Sequence, residues 1–337
     1  MATLDIFNSD AFSLTNLTLA LNNLPFVPGQ VSKAGLFTVS GITTTTAMIE
    51  ERNGSLAMIG DSPRGGPGEA VTTDLRNVRP VAVAHFQRDD AVNADEVQGV
   101  RSFGSESEVD TVSNLVMRKM ERHTRDFDMT MEHLRLGALK GIVASKNRTL
   151  INCFTTFGVT AAADVSIPFS NATAKLRSIF KDLMVSIEND LEATNYSGLH
   201  VFCGYDFFKA LIEHPTIRET YLYNQAASEL RSEMGDSFTI FGVTFERYRM
   251  GGKATTAAGG TAFIAANEAI VAVKGVPDLF VEYYAPADYM ETVNTVGVPR
   301  YAHQYAHPNG KSRHFEIQTN PIMLCTQPKV IRKLIAA

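Results

Sequence analysis

The sequence predicts an α+β protein with a long hairpin loop, and three observations carry that reading. A tight-hairpin signal sits in "MIEERNGSLAMIGDSPRGGPGEAV" with no local core for it to rest on. One apolar stripe keeps helical period for roughly 35 residues, far beyond the usual three to four turns. Short strand and helix patterns then follow one another through the second half.

Taken in order, residues 1–35 carry few charges and read as an N-terminal arm. Helical spacing shows in "AFSLTNLTLALNNL" and is broken by "PFVPGQV", so one short helix is expected. Such an arm stays ordered only when something holds it, for instance a neighbouring chain.

Residues 36–76 read as an extended β-hairpin loop. Asn53-Gly54 is the strongest short hairpin signal, because both central positions of the turn need φ > 0. Folding about it sets Ile49 opposite Met58 and Met48 opposite Ile59. These pairs lie on opposite faces, so both faces of the ribbon are partly apolar. From Leu36 to the turn the strand spans about 55 Å. A lone two-stranded ribbon is marginal in water. It must therefore lie on its own domain or on another molecule, and the residues alone leave both open. "GDSPRGGPGEA" supplies a flexible return.

"RNVRPVAVAHFQRDD" reads as a strand ending in a charged turn. Ser105 with Glu108 then forms an S-x-x-E capping box. The stripe Val109, Val112, Val116, Met120, His123, Phe127, Met131, Leu134, Ala138 advances by three or four throughout. It predicts a helix over about 105–140, roughly 50 Å long. Gly137 and Gly141 loosen its end. Residue types along the stripe are too irregular for a coiled coil, so the helix should lie across a sheet. Residues 150–305 read as a compact unit: an amphipathic helix in "TAKLRSIFKDLMVSIENDLEA", a buried strand "GLHVFCG", and helices in "YDFFKALIEHP" and "IRETYLYNQAASELR" that part near Pro215. A strand pair about Gly242 follows, then the loop "GGKATTAAGGTA" and strands in "FIAANEAIVAVKG" and "LFVEYYA". The last segment is extended and apolar, punctuated by Pro321 and Pro328.

Composition excludes several classes. The hydrophobic fraction of 45% and charged fraction of 20% are those of a folded globular chain, not a disordered one. No apolar run is long enough to span a membrane, and "MATLDIFNSDAF" lacks the basic and apolar regions of a secretory signal. A net charge of −5 argues against a nucleic-acid grip, which needs a basic stripe. Cys153, Cys203 and Cys325 form no C-x-x-C pair and read as buried thiols in a reducing compartment.

No catalytic motif survives inspection. "GGKAT" and "NGKSR" each miss the spaced glycine of a phosphate loop, and "RGGPGEA" opens no helix. His303, His307 and His314 lack a carboxylate at ligand-like spacing, so surface or interface histidines are expected, with no metal and no cofactor. His123 lies on the apolar stripe and reads as a satisfied core histidine. The acid pairs Asp89-Asp90 and Glu50-Glu51 read as solvated turns.

The order arm, extended loop, spine helix, central α/β unit and returning C-terminal strand resembles the tailed-phage major capsid proteins, most closely the lambda-type major capsid protein E family. "IEERNGSLAMIGDSPRGG" is similar to that family's extended loop, "GYDFFKALIEHPTIRE" to its axial-domain helix region, and "SRHFEIQTNPIMLCTQPKVI" to its C-terminal segment. The resemblance implies a structural subunit, not an enzyme, that forms the hexamers and pentamers of an icosahedral shell around double-stranded DNA. It implies a peripheral domain (77–149 and 306–337, with the spine helix) and an axial domain (150–305). It places inter-subunit contacts at Met48, Ile49, Arg52, Asn53, Gly54, Leu56, Met58, Ile59 and Arg64. It assigns an axial loop to Gly251, Gly252, Lys253, Gly259 and Gly260, and the spine core to Val112, Val116, Met120, Phe127, Met131 and Leu134. The hairpin would lie over an adjacent subunit, with DNA nearby but not specifically bound. Implied partners are a separate scaffold, a portal and a decoration protein, with assembly in the host cytoplasm and no membrane. No lysine lies between Lys33 and Lys119, so the loop cannot form the lysine crosslinks some such shells use. Two other readings are an encapsulin-like cargo cage of the same fold, against which the C-terminal pattern speaks, and an α/β enzyme with a non-standard site.

Overall fold

The computed structural model describes residues 13–23, 29–52, 76–97, 108–192, 194–223, 236–249, 263–308 and 311–337. Helix α1 (Leu14–Asn23) and the single turn α2 (Gln30–Lys33) lead into β1 (Phe37–Gly41). β2 (Thr46–Arg52) and β3 (Arg76–Ala82) form the base of the arm, and β4 (Phe86–Asn93) and the turn α3 (Ala94–Val97) follow. Then come the spine α4 (Glu108–Lys140), the small hairpin β5 (Ile142–Ala144) and β6 (Thr149–Asn152), and α5 (Cys153–Phe157). The central unit holds β7 (Val165–Ile167), α6 (Leu176–Asp190), β8 (Gly198–Cys203), α7 (Tyr205–Glu213), α8 (Pro215–Tyr223), β9 (Ser237–Ile240), β10 (Val243–Arg247) and β11 (Glu268–Lys274). The chain finishes with β12 (Phe280–Tyr284), β13 (Tyr301–Ala306), β14 (Ser312–Thr319), β15 (Pro321–Cys325) and β16 (Arg332–Ala336).

These strands build a six-stranded sheet, order β7-β16-β11-β8-β10-β9, and two three-stranded sheets, β1-β12-β15 and β13-β14-β4. β8 is buried almost throughout, as its unbroken apolar run requires. β9 and β10 meet across Phe241 and Gly242, whose φ values of 56° and 84° are those a two-residue hairpin turn demands. α7 and α8 part at His214, because Pro215 forces the residue before it out of helical conformation.

The spine is 33 residues long, and its expected stripe faces inward: Val116, Met120, Phe127, Met131, Leu134 and Ala138 are all buried. Its N-terminal half packs with Val92, Ala302, Phe315 and Ile317 of the β13-β14-β4 sheet. Val112 lies in the helix, but its side chain falls outside the described set, as does Ser105 of the capping box.

A second, charged stripe lies beside the apolar one. Asp128, Glu132 and Arg135 are buried and stand four and three residues apart, so they share a helix face. Asp128 pairs with Arg300. Glu132 accepts from the Val31 and Ser32 amides at 2.7 and 3.3 Å, which fixes α2 against the spine. Burial pushes this carboxyl above its ordinary range, although the Val31 amide and the Arg135 charge oppose that. Arg135 makes a two-pronged contact to Glu282 of β12, both bonds 2.8 Å, and the Tyr284 hydroxyl donates to the same carboxylate.

Several expectations are corrected. β2 pairs with β3: Met48 faces Pro80 and Ile49 faces Arg79, with Arg52 opposite Arg76, while the expected partners Met58 and Ile59 lie outside the described residues. The Asn53-Gly54 signal is local, whereas Ala47, Ile49 and Val81 share one buried face, and burial of a face pins register. Residues 37–41, counted with the loop, instead run parallel to β12. "RNVRPVAVAHFQRDD" is two strands, not one, parted at 83–85. Asp89-Asp90 lie within β4 and Glu50-Glu51 within β2, so neither pair sits in a turn. The C-terminal β16 was grouped with the peripheral segments, but it lies between β7 and β11 in the six-stranded sheet, and β12 belongs with β1 and β15. α1 packs on its own chain through buried Leu17 and Leu21, and residues 1–12 of the arm lie outside the described residues. The turn at Asn53 lies outside the described residues.

Removing Arg135 strands Glu282, which is 1% exposed. Arg135→Ala should cost about 3–5 kcal/mol in urea unfolding. The double change Arg135→Met with Glu282→Leu should recover most of that loss, since it leaves no orphaned charge; failure to recover would mean the pair also sets β12's position.

Candidate functional site

The arm's base has two unlike faces because strand side chains alternate. Ala47, Ile49 and Val81 are buried in the main core. Arg79, on the same side, lies 5.9 Å from the Phe157 ring centroid and donates to the Thr156 carbonyl. The opposite face presents Met48, 64% exposed, and Val78, 52% exposed, with Pro80 also exposed between them and Ala82. One face is thus seated on the chain's own core, and the other is apolar and open.

The expected site residues separate accordingly. Met48 is on the open face. Ile49, grouped with the inter-subunit contacts, is 7% exposed and packs within its own chain. Arg52 ends β2, and its side chain is outside the described set. Asn53, Gly54, Leu56, Met58, Ile59 and Arg64 lie outside the described residues, as do Gly251, Gly252, Lys253, Gly259 and Gly260. Sequence reasoning missed Val78 and Pro80. Their signal was alternation: Val78 and Pro80 on one side of β3, Arg79 and Val81 on the other. It also missed Asp128, Glu132 and Arg135, which keep helical spacing one step off the apolar stripe.

Where the spine meets β4, His123 Nε2 lies 2.7 Å from Asp90, and Lys119 lies 2.7 Å from Glu96 of α3. His123 is thus a partnered core histidine. Partial burial alone would raise the Asp90 carboxyl, but hydrogen bonds from His123 and the Ala91 amide, with the Lys119 charge, hold it below its ordinary value. The other face of the same sheet carries an aromatic stack. Tyr289 and His303 are 4.7 Å apart, Tyr305 and His314 5.3 Å, and His307 and His314 5.0 Å between ring centroids. Among the described residues no group of three or more His, Cys, Asp or Glu is arranged to hold a metal ion. Cys153, Cys203 and Cys325 are free and buried, and burial pushes each thiol upward. No helix among the described residues is long and apolar enough to cross a membrane.

This arrangement of arm, spine and sheets has solved counterparts. A crystal structure described as a capsid protein of prophage from E. coli CFT073 matches with a TM-score of 0.61, covering 96% of this chain and 99% of that one at 12% identity. A chain of the satellite phage P4 procapsid matches with a TM-score of 0.52, covering 95% and 90% at 9% identity. The fold is that of phage capsid proteins. The family model for phage major capsid protein E matches residues 13–336, and the chain belongs to that family. The major capsid protein of Pseudomonas phage KPP10 is 28% identical, with 97% of each chain covered. The major capsid protein of Salmonella phage Felix O1 (isolate Felix O1-VT1) is 25% identical, with 95% of each covered. The protein is a structural capsid subunit, and the cargo-cage and enzyme readings are not favoured.

Because its folded value is depressed, Asp90 stabilises the fold above the ordinary carboxylate pKa and loses that contribution as pH falls through the folded value. Thermal unfolding against pH should therefore show an acid limb below about pH 4. Asp90→Asn should flatten that limb; an unchanged limb would place the acid sensitivity in other carboxylates.

Proposed function

We propose that copies of this chain form the hexamers and pentamers of an icosahedral shell around double-stranded DNA, joined by an arm that lies over the adjacent subunit. One observation carries this reading: the arm's base buries Ile49 and Val81 on its own core while Met48 and Val78 stand open on the other face. An exposed apolar face on a fixed ribbon marks a protein contact site. A contact between two different surfaces of identical chains closes into rings. Residues 77–149 and 306–331 would form the peripheral part, and the six-stranded sheet with its helices the part gathered around the local axes. The loop bearing Gly251, Gly252, Lys253, Gly259 and Gly260 would face those axes. The distal arm, with Asn53, Gly54, Leu56, Met58, Ile59 and Arg64, would extend the contact that Met48 begins. The chain's role is structural, with no enzymatic step, metal or cofactor. Its partners are itself, a separate scaffold, a portal and a decoration protein. DNA lies nearby without specific binding, as a net charge of −5 favours. Assembly takes place in the host cytoplasm, without lysine crosslinks in the arm.

Excising residues 53–75 and joining Arg52 to Arg76 through an Asn-Gly turn keeps the buried face of the arm intact. The variant should melt like the parent but sediment without shells or rings, with the scaffold supplied if the parent needs it. Normal shells from this variant would remove the arm from assembly.

A further inference from the structure

The strand β1 and the loop 285–300 form one surface with large apolar side chains exposed and no described strand on the outer edge of β1. β1 is an edge strand: it pairs with β12 on one side, and no described strand pairs with the other. Its residues 38–41 are exposed, and Val39 is 56% exposed. Edge strands in soluble proteins are usually guarded by lysine, proline, a bulge or a covering segment. "FTVSG" has no lysine or proline, and β1 keeps even register with β12 from Phe37 to Gly41.

Beside this edge stands an apolar ledge. A Cβ at Gly41 would lie 2.5 Å from Val296 Cγ1, so the ledge begins where β1 ends. Met290, Val293 and Val296 are 91%, 58% and 62% exposed. The loop that bears them is nonetheless tied down along its length. Thr292 Oγ1 donates to the Ala287 carbonyl at 2.7 Å, and Thr295 Oγ1 to the Thr292 carbonyl at 2.7 Å. The Gly297 amide donates to the Ile42 carbonyl at 3.0 Å, and the Val298 amide to the Tyr301 hydroxyl at 3.0 Å. Three large apolar side chains on a fixed loop have already lost the chain entropy that binding would otherwise cost.

An occupant of this surface must bring a strand with a free edge and apolar side chains beside it. The arm has both. The β2–β3 ribbon pairs with no third strand among the described residues, and Met48 and Val78 stand on its open face. The chain's own arm does not meet the need: it leaves β1 after Gly41, pairs within itself, and seats its other face on its own core.

We propose that β1 and the Met290–Val296 ledge are the seat for the arm of a second copy of this chain, which adds to the β1 edge as a further strand and covers the ledge with Met48 and Val78. The inference rests on the arm docking between subunits and names the surface that receives it. Strand addition also explains how a marginal two-stranded ribbon gains a stable setting. Seat and arm are different patches of one chain, so each subunit gives and receives once, and the contact propagates head to tail.

The test uses full-length chains carrying single new cysteines, since the three native thiols are buried. Val39→Cys chains are co-assembled with differently tagged Met48→Cys or Val78→Cys chains and oxidised. A disulfide between unlike tags, found in assembled particles and absent from dissociated subunits, is the expected result. Val39→Lys with Val296→Lys should abolish assembly and leave the subunit's melting temperature unchanged. Linkage of Val39→Cys to itself, or to Ile6→Cys in the N-terminal arm, would overturn the proposal by naming another occupant. So would normal assembly of the lysine variant while the arm-excised chain fails, which would leave arm docking standing and move its seat elsewhere. Normal assembly of the arm-excised chain would remove both.

Discussion

The structure depends on charges that one helix carries into the interior. Asp128, Glu132 and Arg135 leave the spine on a single face and reach three separate parts of the chain: the segment before β13, the turn α2, and the strand β12. Each contact buries polar or charged groups, whose desolvation costs free energy that their partners must offset. Apolar packing alone would tolerate a sliding spine, since Val, Met and Leu interchange neighbours readily. A forked arginine on a carboxylate does not. The apolar stripe therefore holds the helix to the sheets, while the charged stripe fixes its axial position.

That fixed spine sets the geometry of the open surfaces. Glu282 anchors β12, β12 carries β1 along its edge, and the loop from 285 begins where β12 ends. Met131 and Leu134 of the spine join Ala47, Ile49 and Val81 in the same core, so the arm's seated face belongs to the same body. The interior chemistry thus reaches the exterior through rigid elements, with no long mobile connection among the described residues between spine and β1 sheet.

What was legible in the sequence follows from where the information lies. The spine helix was readable because a single face repeats over many turns; its described start at Glu108 and end at Lys140 match the stripe. β8 was readable as an unbroken apolar run, and the β9–β10 turn as a glycine after a strand. The arm's register was not, because Asn53-Gly54 states only that a turn is locally favoured. The pairing of β2 with β3 is set by which residues share a buried face, a fact about three-dimensional neighbours. Val78 and Pro80 were visible as alternation along β3, but which side of that strand stays open depends on the same neighbours. The charged stripe was visible as spacing, but charges on a helix usually face water, and only the sheets show that these do not.

β16 follows the other strands of the six-stranded sheet in sequence, and it lies inside that sheet, hydrogen-bonded on both sides. A nascent chain can form β8, β10 and β11 while still on the ribosome, but β7 has no partner there until Arg332–Ala336 emerge. Completion of the sheet therefore waits on β16. A chain cut before Arg332 lacks an interior strand of that sheet, not a fringe.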